Sequence, residues 1–137
     1  MTDLEKAREM LHSGNYGNCV LYSREIIHTS SSKGIMQMME FLTSGLDLKG
    51  FCAADTVAGK ALALLFAYAG VKEVYADVMS SGAVDIFNRF EIRYIYGKLT
   101  DSIKNRAGDG LCPMESAVLN IWEPEKAFEV LRGILKL

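Results

Sequence analysis

The side chains able to do chemistry gather most densely in one stretch, Arg106-Ala-Gly-Asp-Gly-Leu-Cys-Pro-Met-Glu115. Gly108 and Gly110 permit backbone angles that other residues avoid, and Pro113 suits the first turn of a helix. A glycine-bearing loop that runs into a helix start can offer free N–H groups to an anion. Arg106, Asp109, Cys112 and Glu115 would place charge and a thiol beside it. The stretch lacks the Gly-Lys-Ser/Thr of a P-loop and the spacing of a dinucleotide fingerprint. The alternative is a tight turn capped by Asp109 or Cys112, with Glu115 satisfying the first helical turn.

Two other polar residues stand among apolar ones. Asp55 is expected at the start of a buried helix, either as an acid satisfying the first backbone N–H groups or as a site carboxylate that accepts a ligand's hydrogen bond or acts as acid/base. Lys60, in the same helix, either carries its ammonium out to water along its aliphatic stem or meets a carboxylate or phosphate. The cysteines are Cys19, Cys52 and Cys112. Their odd number and wide spacing argue against a disulfide framework and for a reducing compartment. Cys19 and Cys52 read as small core residues. The two histidines, His12 and His28, are placed near no cysteine, so neither a Cys–His nucleophile nor a transition-metal site is expected.

The elements that must position these groups follow from periodicity. Residues 3–13 read as an amphipathic helix, with Leu4, Ala7 and Leu11 on one stripe and Gly14 as its stop. Residues 18–23 and 25–29 read as a tight hairpin. Ser30, Ser31 and Ser32 are placed to cap a helix over 33–43, with Ile35, Met38, Met39 and Leu42 inward. The most apolar helix is expected over 55–69, closed by Gly70. A strand over 74–79, a helix to Phe90 and a strand over 92–96 follow. Helices are expected over 113–119 and from Pro124 onward, the last with Ala127, Val130, Leu131 and Ile134 inward. Strands separated by helices imply a sheet covered on both faces. The expected architecture is a three-layer α/β/α sandwich whose mixed sheet has about four strands, one of them antiparallel.

At 137 residues, half of them apolar, the chain fits one domain with a packed core. A net charge of −2 with scattered basic residues argues against nucleic acid as a partner. The polar start, Met1-Thr-Asp-Leu-Glu-Lys6, lacks the features of a secretory signal. The longest apolar run, 61–69, is too short to span a bilayer. A cytoplasmic, membrane-free setting is expected.

Cys52-Ala53-Ala54-Asp55 resembles the Cys-His-Ala-Glu start of the catalytic helix in cytidine deaminases. Residues 50–70, together with Gly108-Asp-Gly-Leu-Cys-Pro-Met-Glu115, are similar to an uncharacterised family of small prokaryotic proteins in the cytidine deaminase-like superfamily. The resemblance spans nearly the whole chain and implies that fold. It does not carry the chemistry. The histidine that would bind zinc falls on Ala53, the proton-shuttling glutamate on Asp55, and the Pro-Cys-x-x-Cys pair on Ser80-Ser81-Gly82-Ala83-Val84. Cys112-Pro113 has one cysteine in the wrong order, after the next strand. The expectation is therefore a protein that is not a zinc-dependent deaminase and carries no cofactor, whose pocket of Asp55, Lys60 and the 106–115 loop holds a small nucleotide-like or anionic metabolite. Two alternatives stand beside it: a metal-independent enzyme with Asp55 as acid/base, and a structural homo-oligomer.

Overall fold

The computed structural model describes residues 1–105 and 107–137, so Arg106 lies outside the described residues. In chain order the elements are α1 (Asp3–Ser13), β1 (Cys19–Ser23), β2 (Ile26–Ser30), α2 (Met36–Thr43), β3 (Cys52–Ala58), α3 (Lys60–Ala69), β4 (Glu73–Ser80), α4 (Ser81–Arg89), β5 (Arg93–Thr100), α5 (Pro113–Ala117) and α6 (Pro124–Leu135).

Local chemistry sets most of these boundaries. Thr2 and Glu5 form a reciprocal cap on α1: the Glu5 N–H donates to Thr2 Oγ1 at 3.1 Å and the Thr2 N–H to Glu5 Oε2 at 3.0 Å. Gly14, at φ 77°, closes the helix. Between β1 and β2 the turn is only Arg24-Glu25, because Ser23 already pairs with Ile26. Both turn residues are left-handed, at φ 46° and 70°. That geometry matches the twist of the two strands, although glycine or asparagine ordinarily supplies it.

The largest departure from expectation is at residues 52–58, where β3 replaces the start of the expected helix. Every side chain there except Asp55 and Thr56 is apolar, so periodicity cannot separate a buried strand from a buried helix. The β-branched pair Thr56-Val57 favours the strand. Gly59 then turns the chain in extended geometry, and α3 begins at Lys60. The sheet accordingly has five strands rather than about four.

Three smaller corrections follow. The serine triplet does not cap α2: Ser30 ends β2, the helix starts after Ile35 without a side-chain cap, and Ser32 Oγ donates to Glu40 Oε1 at 2.6 Å. β5 extends to Thr100. On α6, Phe128 is buried where Ile134 was expected, and Ile134 is exposed.

The sheet order is β2-β1-β3-β4-β5. β1 pairs antiparallel with both β2 and β3, while β3, β4 and β5 run parallel. β1 is thus the one strand running against the rest, as expected. Helices cover both faces. On one, α1 packs Leu4, Ala7 and Leu11 against Val20, Tyr22, Cys52, Ala54 and Tyr75. On the other, α2 through α6 build the larger core around α3, whose residues Ala61 to Phe66 are all buried. Burying each large side chain there contributes about 1.5–3 kcal/mol. Among the described residues, no helix is long and apolar enough to cross a membrane.

Candidate functional site

β3 ends beside the start of α3, and this junction places the polar groups of interest. Asp55 pairs in register with Cys19 of β1 and Ala76 of β4. It lies in the three central strands of the sheet and is only 2 % exposed. Its carboxylate is held by donors on several sides. Gln37 Nε2 donates to Oδ2 at 2.8 Å, and the Thr56 N–H donates to Oδ1 at 2.7 Å. The Cys19 thiol and the Val57 N–H lie on it as well. Burial nevertheless dominates and pushes the carboxyl up to about 7, the hydrogen bonds from Gln37, Thr56, Cys19 and Val57 opposing it. The Cys19 thiol is raised well above its ordinary range, first by burial and then by Asp55. Gln37 Oε1 is buried and, among the described residues, has no hydrogen-bond partner.

Asp55 lines a cavity of about 360 Å³. Ile35, Val57, Leu62, Ile103 and Met114 supply apolar wall, and Asn18, Thr56, Cys112, Glu115 and the exposed Lys33 supply polar groups. Glu115 comes from α5 yet serves α3. Its carboxylate accepts from the Ala61 N–H at 3.3 and 3.4 Å, and the Lys60 N–H also points at it. Burial raises its carboxyl above the usual range, and those two N–H groups and the Lys60 charge oppose the rise. Gly59 leaves room for this carboxylate, because a Cβ there would displace Glu115 Oε1 and the Ile103 side chain. The free N–H groups of the helix start, an anion site in other proteins, are therefore already satisfied by the chain's own carboxylate.

The structure brings together Asp55, Cys112 and Glu115 from the expected site and separates Lys60, Gly108, Asp109 and Gly110 from them. Lys60 Nζ donates to the Leu119 carbonyl at 2.9 Å and lies 4.1 Å from the Trp122 ring centroid. It is a buried structural cation rather than a residue of the cavity, and burial lowers its affinity for the proton. Gly108, Asp109 and Gly110 belong to a turn organised by Asn105. The Asn105 amide donates to Asp109 Oδ1 at 3.0 Å, its carbonyl oxygen accepts from the Gly108 N–H at 2.8 Å, and its backbone N–H donates to the Gly110 carbonyl at 2.8 Å. Cys112 precedes α5 without capping it. Arg106 lies outside the described residues.

Sequence reasoning missed Gln37, Asn18, Lys33 and Thr56. Gln37 did leave a signal. It interrupts the apolar run Ile35-Met36-Gln37-Met38-Met39, and a polar side chain at a core position demands a partner.

The deaminase comparison also shifts. Ala53 is not at a helix start; it lies within β3, paired with Leu21 and Val74. Asp55, likewise, caps no helix. The helix starts beside the parallel strand ends are Gly59-Lys60-Ala61 and Ser80-Ser81-Gly82. Neither supplies a thiolate or imidazole, and Lys60 is itself a cation. These residues do not fit a tetrahedral zinc site. Among the described residues, no three His, Cys, Asp or Glu side chains converge to hold a metal ion.

A five-stranded mixed sheet between helical layers, with a cavity at the end of its central strand, defines an α/β sandwich. The chain belongs to the family described as domain of unknown function (DUF1893), whose profile matches residues 6–135. It is similar in structure to a DUF1893 family protein from Thermotoga maritima, with a TM-score of 0.86 and 23% identity over 96% of this chain and 89% of that one. At that identity the likeness establishes the fold alone. A dCMP deaminase from the cyanophage S-TIM5 is more distantly similar, at a TM-score of 0.46 and 13% identity over 71% of this chain and 94% of that one. No curated protein matches the chain.

Proposed function

We propose that the cavity beside β3 binds a small neutral or protonated nitrogen heterocycle of nucleobase or nucleoside type. The observation that supports this most directly is Asp55, a buried carboxyl on an otherwise largely apolar cavity wall. Specific pockets of this size pair apolar walls with a few placed polar groups. An N–H edge on the ligand would find its acceptor in Asp55. An anion fits less well than the sequence alone suggests, because Glu115 already satisfies the Lys60 and Ala61 amides of the α3 start and, among the described residues, Lys33 is the one cation lining the cavity beside two carboxyls. A phosphate on the ligand would have to reach outward to Lys33. Three free thiols suit a cytoplasmic, reducing setting for this function.

The test is thermal unfolding of the purified chain with a panel of nucleobases, nucleosides and their phosphates. A ligand at a hundred times its Kd should stabilise the wild type by about 2.7 kcal/mol. Asp55→Ala should abolish that gain, and Lys33→Ala should weaken only phosphorylated ligands. Stabilisation that survives in Asp55→Ala, or no stabilisation by any member of the panel, would refute the reading.

A second reading rests on the same carboxyl. An acid/base group that titrates near neutrality is suited to proton transfer, and Asp55 is held at about 7. Metal-independent turnover by Asp55 would persist in chelator and vanish in Asp55→Asn.

A further inference from the structure

β5 closes one side of the sheet, and among the described residues nothing pairs with its outer edge. It is eight residues long and contains no proline. Ile95, Tyr96 and Leu99 are 51, 40 and 45 % exposed. Native edges are ordinarily short, bulged, charged or covered, and Lys98 is the one such device near the centre of this strand. The Arg93 N–H donates inward to the Lys72 carbonyl at 3.2 Å. By the alternation of a parallel ladder, Tyr94, Tyr96 and Lys98 turn their N–H and C=O groups outward, while at the strand's end the Thr100 carbonyl accepts from Ser81 Oγ at 3.4 Å.

We propose that two copies of this chain dimerise by pairing β5 with β5 antiparallel, about a two-fold axis at Gly97, joining the two five-stranded sheets into one. The strand's own pattern selects this register. With the axis at Gly97, Ile95 stands opposite Leu99 of the second copy and Tyr96 opposite Lys98, and Arg93 at the start of the strand meets Asp101, the residue just past its end. Each contact occurs twice, as an isologous interface requires. It sets opposite charges together, apolar side chains together, and an ammonium beside an aromatic ring.

The outward-facing residues become the hydrogen-bonded pairs: Tyr96 with Lys98 on each side of the axis, and beyond them Tyr94 with the N–H of Thr100. Gly97 forms the close, non-hydrogen-bonded pair on the axis, where it has no side chain to clash. Gly97 is also needed within the chain, because a Cβ there would lie 2.8 Å from the Asp77 carbonyl oxygen.

Neighbouring registers that keep the faces aligned are worse. An axis at Tyr96 sets Ile95 against Gly97 and Arg93 against Leu99, and an axis at Lys98 sets the two Lys98 side chains against each other. Like charges directly opposite destabilise strand pairing.

The experiment is sedimentation equilibrium of the full chain across a concentration series, with Arg93→Asp, Asp101→Arg and the double variant carrying both. Both residues are exposed, so the fold should tolerate the changes. The wild type should be dimeric. Each single variant, which sets like charges opposite one another twice, should weaken the dimer by about tenfold or more. The double variant restores the opposite-charge pairing with its signs exchanged and should return to within about threefold of wild type. A wild type monomeric up to about 100 μM, single variants that dimerise as wild type does, or a double variant as weak as the singles would each overturn the proposal.

Discussion

Asp55 lies on the central strand of the sheet between Cys19 and Ala76 of its neighbours, and its surroundings divide into two opposing influences. Loss of water favours the neutral acid, while donors from Gln37, Thr56, Cys19 and Val57 favour the carboxylate. Loss of water is the larger. A carboxyl raised from 3.8 to about 7 on folding contributes its full stability below the unfolded value and loses it as pH rises through the folded one. At 1.36 kcal/mol per pH unit, the swing is at most about 4 kcal/mol. Urea unfolding of wild type and Asp55→Asn should therefore show the wild type losing ground between about pH 4 and pH 7, with a constant difference on either side. A difference that does not vary with pH would mean that folding leaves the Asp55 carboxyl at its unfolded value. The orphaned Gln37 Oε1 belongs to the same balance. When Asp55 is protonated, a turned amide could accept its proton, so that one buried pair can serve both charge states.

At the scale of elements, the β1–β2 hairpin shows how tertiary context overrides local preference. Arg24 and Glu25 both occupy the left-handed region, at a cost of about 1–2 kcal/mol per residue. Part of that is offset where the Arg24 N–H donates to Asp3 Oδ2 at 3.2 Å, tying the turn to α1. Replacing the pair by Asn-Gly, the residues this turn geometry prefers, should raise stability by about 1–2 kcal/mol in chemical denaturation. An unchanged midpoint would show that the Asp3 contact and the side chains of the turn already compensate.

The same scale shows what was legible beforehand. The α1 stripe, the Gly14 and Gly70 stops and the two prolines at helix starts are local signals, and each lies where the structure has it. The β3–α3 boundary is not local. Cys52-Ala-Ala-Asp-Thr-Val-Ala has the same apolar character whether a sheet or helices bury it; Thr56-Val57 leans only weakly toward a strand, and the neighbours β1 and β4 decide. That one misplacement displaced the metal comparison by several residues and put Asp55 on the wrong element. The site was half legible for a related reason. Asp55, Cys112 and Glu115 were recognisable as unusual residue types, but Lys33 and Asn18 enter the cavity through the path of the chain.

For the molecule as a whole, the sheet separates two apolar clusters of unequal size. The smaller binds α1, and the larger binds every other helix around α3. Phe66 is fully buried in the larger one, so its removal leaves a void that the surroundings fill only in part. Phe66→Ala should cost about 3–5 kcal/mol, measured as a lower denaturation midpoint in a single transition. A loss near 1 kcal/mol would mean that the layers collapse readily onto the cavity.

The Glu115 carboxylate reaches α3 from 54 positions further along the chain. A distant segment thereby acts as a clasp on the first turn of the central helix and, with the same side chain, as part of the cavity wall. Anything that lifts the clasp bares the Lys60 and Ala61 amides and widens the opening in one movement. Protection of those two amides against exchange with solvent is thus a built-in gauge of how often the mouth stands open.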